Sequence, residues 1–240
     1  RAAQGPLGAG QLEEARPWLQ QAKEDFEKIG DALGIADNHR SLCHIARQTG
    51  AYDQANDHIE EAQRFFEECG SREGIADCYN LRGEIARLQG DFERAEELYR
   101  VSIKRHRALE SIAAGVAELN LGLTLIRLKR YKDARVILED CVRTFLLRGR
   151  PLLRSIAQIT LLPCLIADDA WIEAEQNMLS STIALSNANY VDIDVAASAQ
   201  LAGEIALEKG KPMHAKPAYR FALSQWKALD RQEEVEQIEQ

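Results

Sequence analysis

The chain has 240 residues, 45% hydrophobic and 28% charged, with six prolines and fifteen glycines. That balance supplies a core and excludes the disordered and low-complexity classes. The net charge of −8 is uneven: residues 1–99 carry −9, residues 100–154 carry +8 and residues 155–240 carry −7. An acidic chain with a basic waist carries a directional surface field. The long uncharged stretches, 155–167 and 176–191, are too short to span a bilayer. There is no signal peptide and no initiator Met, and repeat-like sequence reaches both ends, so the chain reads as a fragment of a longer protein. Five scattered cysteines without a CxxC read as reduced thiols, which predicts a cytoplasmic location.

The stretch GIADNHRSLCHIARQTGAYDQA, at 34–55, returns forty residues later as GIADCYNLRGEIARLQGDFERA, at 74–95. One Ala anchors the register throughout: Ala15, Ala55, Ala95, Ala134, Ala174 and Ala215, at steps of 40, 40, 39, 40 and 41. The predicted elements therefore run in order as a half unit at about 11–33, then full units at about 34–73, 74–113, 114–153, 154–193 and 194–230. The start of a further helix follows at 231–240. Together they form one repeat domain over 1–240.

Each full unit reads as two amphipathic helices about a short break. Three residues before each Ala stands Tyr52, Phe92, Tyr131, Trp171 or Pro212, opening the second helix. Asp91 is placed to cap one of these helices, and Pro151 suits the first turn of another. Fifteen residues after each Ala stands Gly30, Gly70, Glu110, Gly149, Asn189 or Asp230, where a left-handed residue can close the helix. Twelve before the Ala comes a mostly small set, Cys43, Gly83, Gly122, Leu162 and Gly203. Gly83 and Ala95 are positioned for a close crossing of the two helices. No segment alternates with period two, so no strands are expected.

These columns resemble the tetratricopeptide repeat (TPR) family: the small residue, the aromatic at the turn, and the Ala twelve after the small residue. The classical period is 34 residues, so a period near 40 implies longer helices. Long-repeat forms of this kind resemble those of cell-polarity adaptors and of large bacterial signalling kinases and LuxR-type regulators. The resemblance implies an all-α, right-handed superhelical solenoid of antiparallel helix pairs. It also implies that the first helix of each unit lines a concave surface that holds peptides or helices of partner proteins. By family register the inward positions are Arg40, His44 and Arg47; Asn80, Glu84 and Arg87; Asn120, Leu123 and Arg127; Ile159, Pro163 and Ile166; and Gln200 and Glu204. The family's chaperone-tail clamp is missing, because its slots hold residues such as Arg40, His44, Leu81, Val116 and Asn120.

The fourth unit is the odd one, because SIAQITLLPCLIA carries no charge on any face. It reads either as an apolar groove floor or as a helix buried by its neighbours. Pro163 within it is expected to bend the helix. His39, Cys43 and His58 approach a metal-ligand pattern, but Cys43 fills the small column and His39 a core column. Packing accounts for both, and no metal or cofactor is expected. No phosphate-binding loop, nucleophile elbow or zinc-protease motif occurs, so the chain reads as non-catalytic. The leading expectation is a protein-interaction scaffold. An intramolecular regulatory or sensor domain is the alternative, and nucleic-acid binding through the basic waist ranks below both.

Overall fold

The computed structural model describes residues 9–239, with side chains from residue 17 onward. The side chain of Ala15 and all of Gln240, which belong to the first anchor and the last expected helix, fall outside that set. Twelve helices and no strand occupy the described residues: α1 (Ala9–Ile29), α2 (Ala32–Gln48), α3 (Tyr52–Glu68), α4 (Arg72–Leu88), α5 (Phe92–Ala108), α6 (Ala113–Arg127), α7 (Tyr131–Leu147), α8 (Pro151–Ala167), α9 (Trp171–Asn187), α10 (Ile193–Glu208), α11 (Pro212–Ala228) and α12 (Gln232–Glu239). The turn column supplies the first residue of α3, α5, α7, α9 and α11. Asp91 caps α5 by accepting from the Arg94 amide at 3.0 Å. Pro151 opens α8, where its missing N–H costs nothing.

The closing column behaves as its chemistry requires. Gly30, Gly70 and Gly149 have φ of 70°, 72° and 63°, and Glu110, Asn189 and Asp230 follow at 53°, 49° and 56°. A second left-handed column ends the first helix of each unit: Gly50, Gly90, Lys129, Asp169 and Gly210. The amide after it reaches back to close the turn, as when Arg130 N–H donates to the Leu125 carbonyl at 2.9 Å.

The repeated GIAD has a packing reason. A Cβ on Gly74 would stand 2.4 Å from Cδ1 of Phe66, and one on Gly34 would stand 2.4 Å from Cδ1 of Phe26. The glycine is the seat of the preceding helix's phenylalanine. The small column works similarly. A Cβ on Gly83 would lie 2.8 Å from the Tyr99 ring, and one on Gly122 would lie 2.5 Å from Leu138. Gly83 thus meets Tyr99, one turn beyond Ala95, while Ala95 itself is wholly buried.

The described chain forms two compact units that divide after Asn120. In the first, α1 packs on α2, α2 on α3, α3 on α4 and α4 on α5. Its core includes Ile59, Phe66, Ile85 and Tyr99. In the second, α8 is surrounded by α7, α9 and α10, and α11 packs on α10 and α12. Its core holds Leu138, Phe145, Leu161, Leu165 and Trp226. No helix among the described residues is long and apolar enough to cross a membrane.

Candidate binding face

Side chains at i, i+4 and i+7 share a helix face. Arg40, His44 and Arg47 do so on α2, and Asn80, Glu84 and Arg87 do so on α4. The unit period then sets Asn120 of α6 in the column of Asn80. The structure brings most of these together. Asn80 Nδ2 donates to Glu84 Oε1 at 2.8 Å. Asn120 Nδ2 donates to the same oxygen at 3.1 Å and to Asn80 Oδ1 at 3.2 Å. Arg47 pairs with the other carboxylate oxygen of Glu84 at 3.2 Å. Burial pushes the Glu84 carboxyl above its usual range, against the pull of Arg47, Arg87 and the two asparagines. The Nε of Arg47 is buried and makes no hydrogen bond.

Asp77 joins this face although the sequence reading passed over it. It pairs with Arg40 at 2.8 Å and lies 3.3 Å from Nε2 of the buried His106. Its signal was present: Asp37 and Asp77 end the two GIAD copies, and Asp37 also holds Arg40, at 2.8 Å. His44 stands exposed on the same face.

The remaining expected positions separate from this group. Arg127, at the end of α6, is exposed. Gln200 and Glu204 lie together on α10, where Gln200 Nε2 donates to Glu204 Oε1 at 3.0 Å and its Oε1 accepts from Trp226 Nε1 at 2.8 Å. Leu123, Ile159, Pro163 and Ile166 are buried. Ile159 retains no exposed surface, so it offers no open floor on its own face of α8. The helix has no polar stripe because α7, α9 and α10 surround it. It also runs through Pro163 without ending there.

Several arginines of the basic waist are paired within the fold. Arg135 reaches Glu139, Asp168 and Glu173 at 2.6, 3.1 and 3.3 Å. Arg107 pairs with Glu118 at 2.6 Å, Arg130 pairs with Asp133 at 2.8 Å, and Arg143 pairs with Asp140. His39 and His58 do meet, with their Nδ1 atoms 3.3 Å apart, one ring donating to the other. His39 also stacks on Phe65, and burial lowers its pKa to about 4.

The family models that match are both described as tetratricopeptide repeat, over residues 35–108 and 119–145. Those residues carry tetratricopeptide repeats. Its fold class is all-α, a TPR-like solenoid of helix pairs. No curated protein matches it significantly. Among solved structures, BtubC (BKLC) from P. vanneervenii is similar at a TM-score of 0.70 and 14% identity, over 94% of each chain. The STAND protein PH0952 from Pyrococcus horikoshii, which has a tetratricopeptide repeat sensor, reaches 0.70 at 17% identity. That match covers 95% of this chain and 36% of the other. A Rap protein complexed with competence and sporulation factor reaches 0.68 at 11% identity, over 96% of this chain and 68% of its own. At these identities the likeness concerns the fold. The TPR fold is typically a scaffold for protein interaction.

Proposed function

We propose that this TPR chain is a non-catalytic, cytoplasmic scaffold that holds a partner peptide or helix against the polar face of α2, α4 and the start of α6. In this reading residues 1–240 act as one repeat domain. The observation that carries it is the ladder of Arg47, Asn80, Glu84 and Asn120, four polar side chains from three first helices that meet one another while only half-buried. An asparagine amide offers both a donor and an acceptor, the same pair that a peptide backbone offers. In the free chain these amides are turned onto each other and onto Glu84. A bound backbone can replace those bonds one for one, so recognition leaves no buried polar group unpaired. Arg40, His44 and Arg87 extend the polar set along α2 and α4, while Arg127 and the bonded pair of Gln200 and Glu204 offer polar groups of the other unit. Leu123, Ile159 and Pro163 are buried within the other unit.

The likeness to YrrB, a TPR protein with an unusual peptide-binding site, supports a peptide partner. The likeness to a TPR sensor within a larger ATPase supports a second reading, in which the partner is another domain of the same protein. Nucleic acid ranks below both, because several waist arginines, Arg107 and Arg135 among them, are already paired with carboxylates.

Amide hydrogen exchange with and without a captured partner tests the placement. Protection on α2, α4 and the start of α6 is expected. Protection confined to the second helices α3 and α5 would contradict it.

A further inference from the structure

The unit that begins at Leu121 holds a cavity of about 600 Å³ between the second helices α9 and α11, floored by α8. Its origin is visible in the repeat columns. The small column, glycine in three of five units, is Leu162 here, and Leu162 faces the cavity. Met178 and Leu179 stand on the α9 wall, while the apolar side of α11 is the small Ala218 with Pro217 beside it and Phe221 a turn further on. Two packed helices leave no such space when their facing side chains interdigitate, so the small residue on α11 keeps the gap open.

The volume falls in the range of small-molecule sites, which are mostly apolar with a few placed polar groups. The polar groups sit on the wall nearest solvent. Glu175 is already engaged, its carboxylate 3.0 Å from Nδ1 of His214, whose ring lies 4.7 Å from Trp171. Arg220 also lines the cavity, is exposed, and makes no ion pair or hydrogen bond among the described residues. An apolar chamber with one uncommitted guanidinium selects a ligand with an apolar body and one anionic end. A guanidinium fork meets a carboxylate through two parallel hydrogen bonds.

We propose that this cavity binds a small amphipathic acid, an aliphatic carboxylate. Its tail lies against Leu162, Met178 and Phe221, and its carboxylate pairs with Arg220. The site is distinct from the polar face of α2 and α4, and it stands whether or not that face binds a peptide.

Isothermal titration with dodecanoate and with dodecanol, both below their aggregation limits, tests it. Saturable binding of one dodecanoate per chain is expected. Arg220→Gln should weaken dodecanoate by about tenfold and leave dodecanol unchanged, since the charged pair is the difference between the two probes. Ala218→Phe should abolish binding of both by filling the chamber. Ser224→Trp does so from an exposed position at the mouth, with little risk to folding. Circular dichroism and melting confirm that each variant is folded. The proposal is overturned if dodecanoate shows no saturable binding, if neither blocking variant reduces it, or if Arg220→Gln weakens both probes alike. A site made for a partner helix gives the first of these results.

Discussion

Replacing Gly74 with alanine puts the packing logic of the repeat to a direct test. The added Cβ would lie 2.4 Å from Cδ1 and 2.5 Å from Cγ of Phe66. Cγ is the stem of a rigid ring, and Phe66 is 1% exposed, so the ring has nowhere to swing. Overpacking of this kind costs about 1–3 kcal/mol. Alanine recovers at most about 1 kcal/mol of helix propensity, and less in the first turn of α4 where Gly74 sits. The net loss should be about 1–2 kcal/mol, or a melting temperature lower by roughly 3–6 °C for a chain of this size. Thermal and urea unfolding followed by circular dichroism measure it. The pair Gly74→Ala with Phe66→Leu should recover part of the loss, with a coupling of at least about 0.5 kcal/mol. A Gly74→Ala protein that melts at or above the original temperature would refute the claim that glycine is there to seat the ring.

Lys129 holds φ of 58°, a conformation that costs an L-residue about 1–2 kcal/mol and glycine little. Lys129→Gly should therefore raise the urea midpoint by the equivalent of about 1 kcal/mol, and a lower midpoint would show that the side chain stabilises the turn. His39 is buried, and its pKa falls from an ordinary 6.5 to about 4, chiefly through burial and then through Lys23 and His58. The folded state binds fewer protons than the unfolded state between those values. Stability is then full above pH 6.5 and is lost as pH falls toward 4, by at most about 3 kcal/mol at 1.36 kcal/mol per pH unit. Urea midpoints from pH 7 to pH 4.5 should fall less steeply for His39→Gln than for the parent, and equal slopes would assign the acid sensitivity elsewhere. Burial pushes the thiols of Cys43, Cys78 and Cys164 up to about 12, and Cys141 is buried too, whereas Cys69 is exposed. A thiol reagent at pH 8 should label one cysteine per native chain and five after unfolding, and rapid labelling of a second native thiol would contradict the core.

The helices were legible because the columns that make them are local chemistry. The turn aromatics, the Asp91 cap and the closing glycines each act within a few residues. The left-handed column at Gly50, Gly90, Lys129, Asp169 and Gly210 went unread, because Lys129 and Asp169 disguise a position that is glycine in three of its five members. The polar face was half visible: the register of the resembled family grouped Arg40, Arg47, Asn80, Glu84 and Asn120, yet the bonds that Asn120 and Asp77 make between helices leave no mark on spacing. The uncharged run of α8 could not reveal its own fate. An apolar helix facing a groove and one enclosed by three neighbours read alike, and only packing showed that Ile159 is enclosed. The cavity beside it was invisible because it arises from what Ala218 fails to fill.

Asn80 and Asn120 are the substitutions that reach the central claim, since Leu123 or Ile159 to aspartate would bury a charge and unfold the unit. Capture from cell lysate with the parent chain and with the Asn80→Ala, Asn120→Ala double variant, both shown to be folded, is the most direct measurement. The account predicts one protein partner retained by the parent and lost, or weakened at least about tenfold, with the double variant. A partner held equally by both would place recognition away from the α2–α4–α6 face and contradict the account.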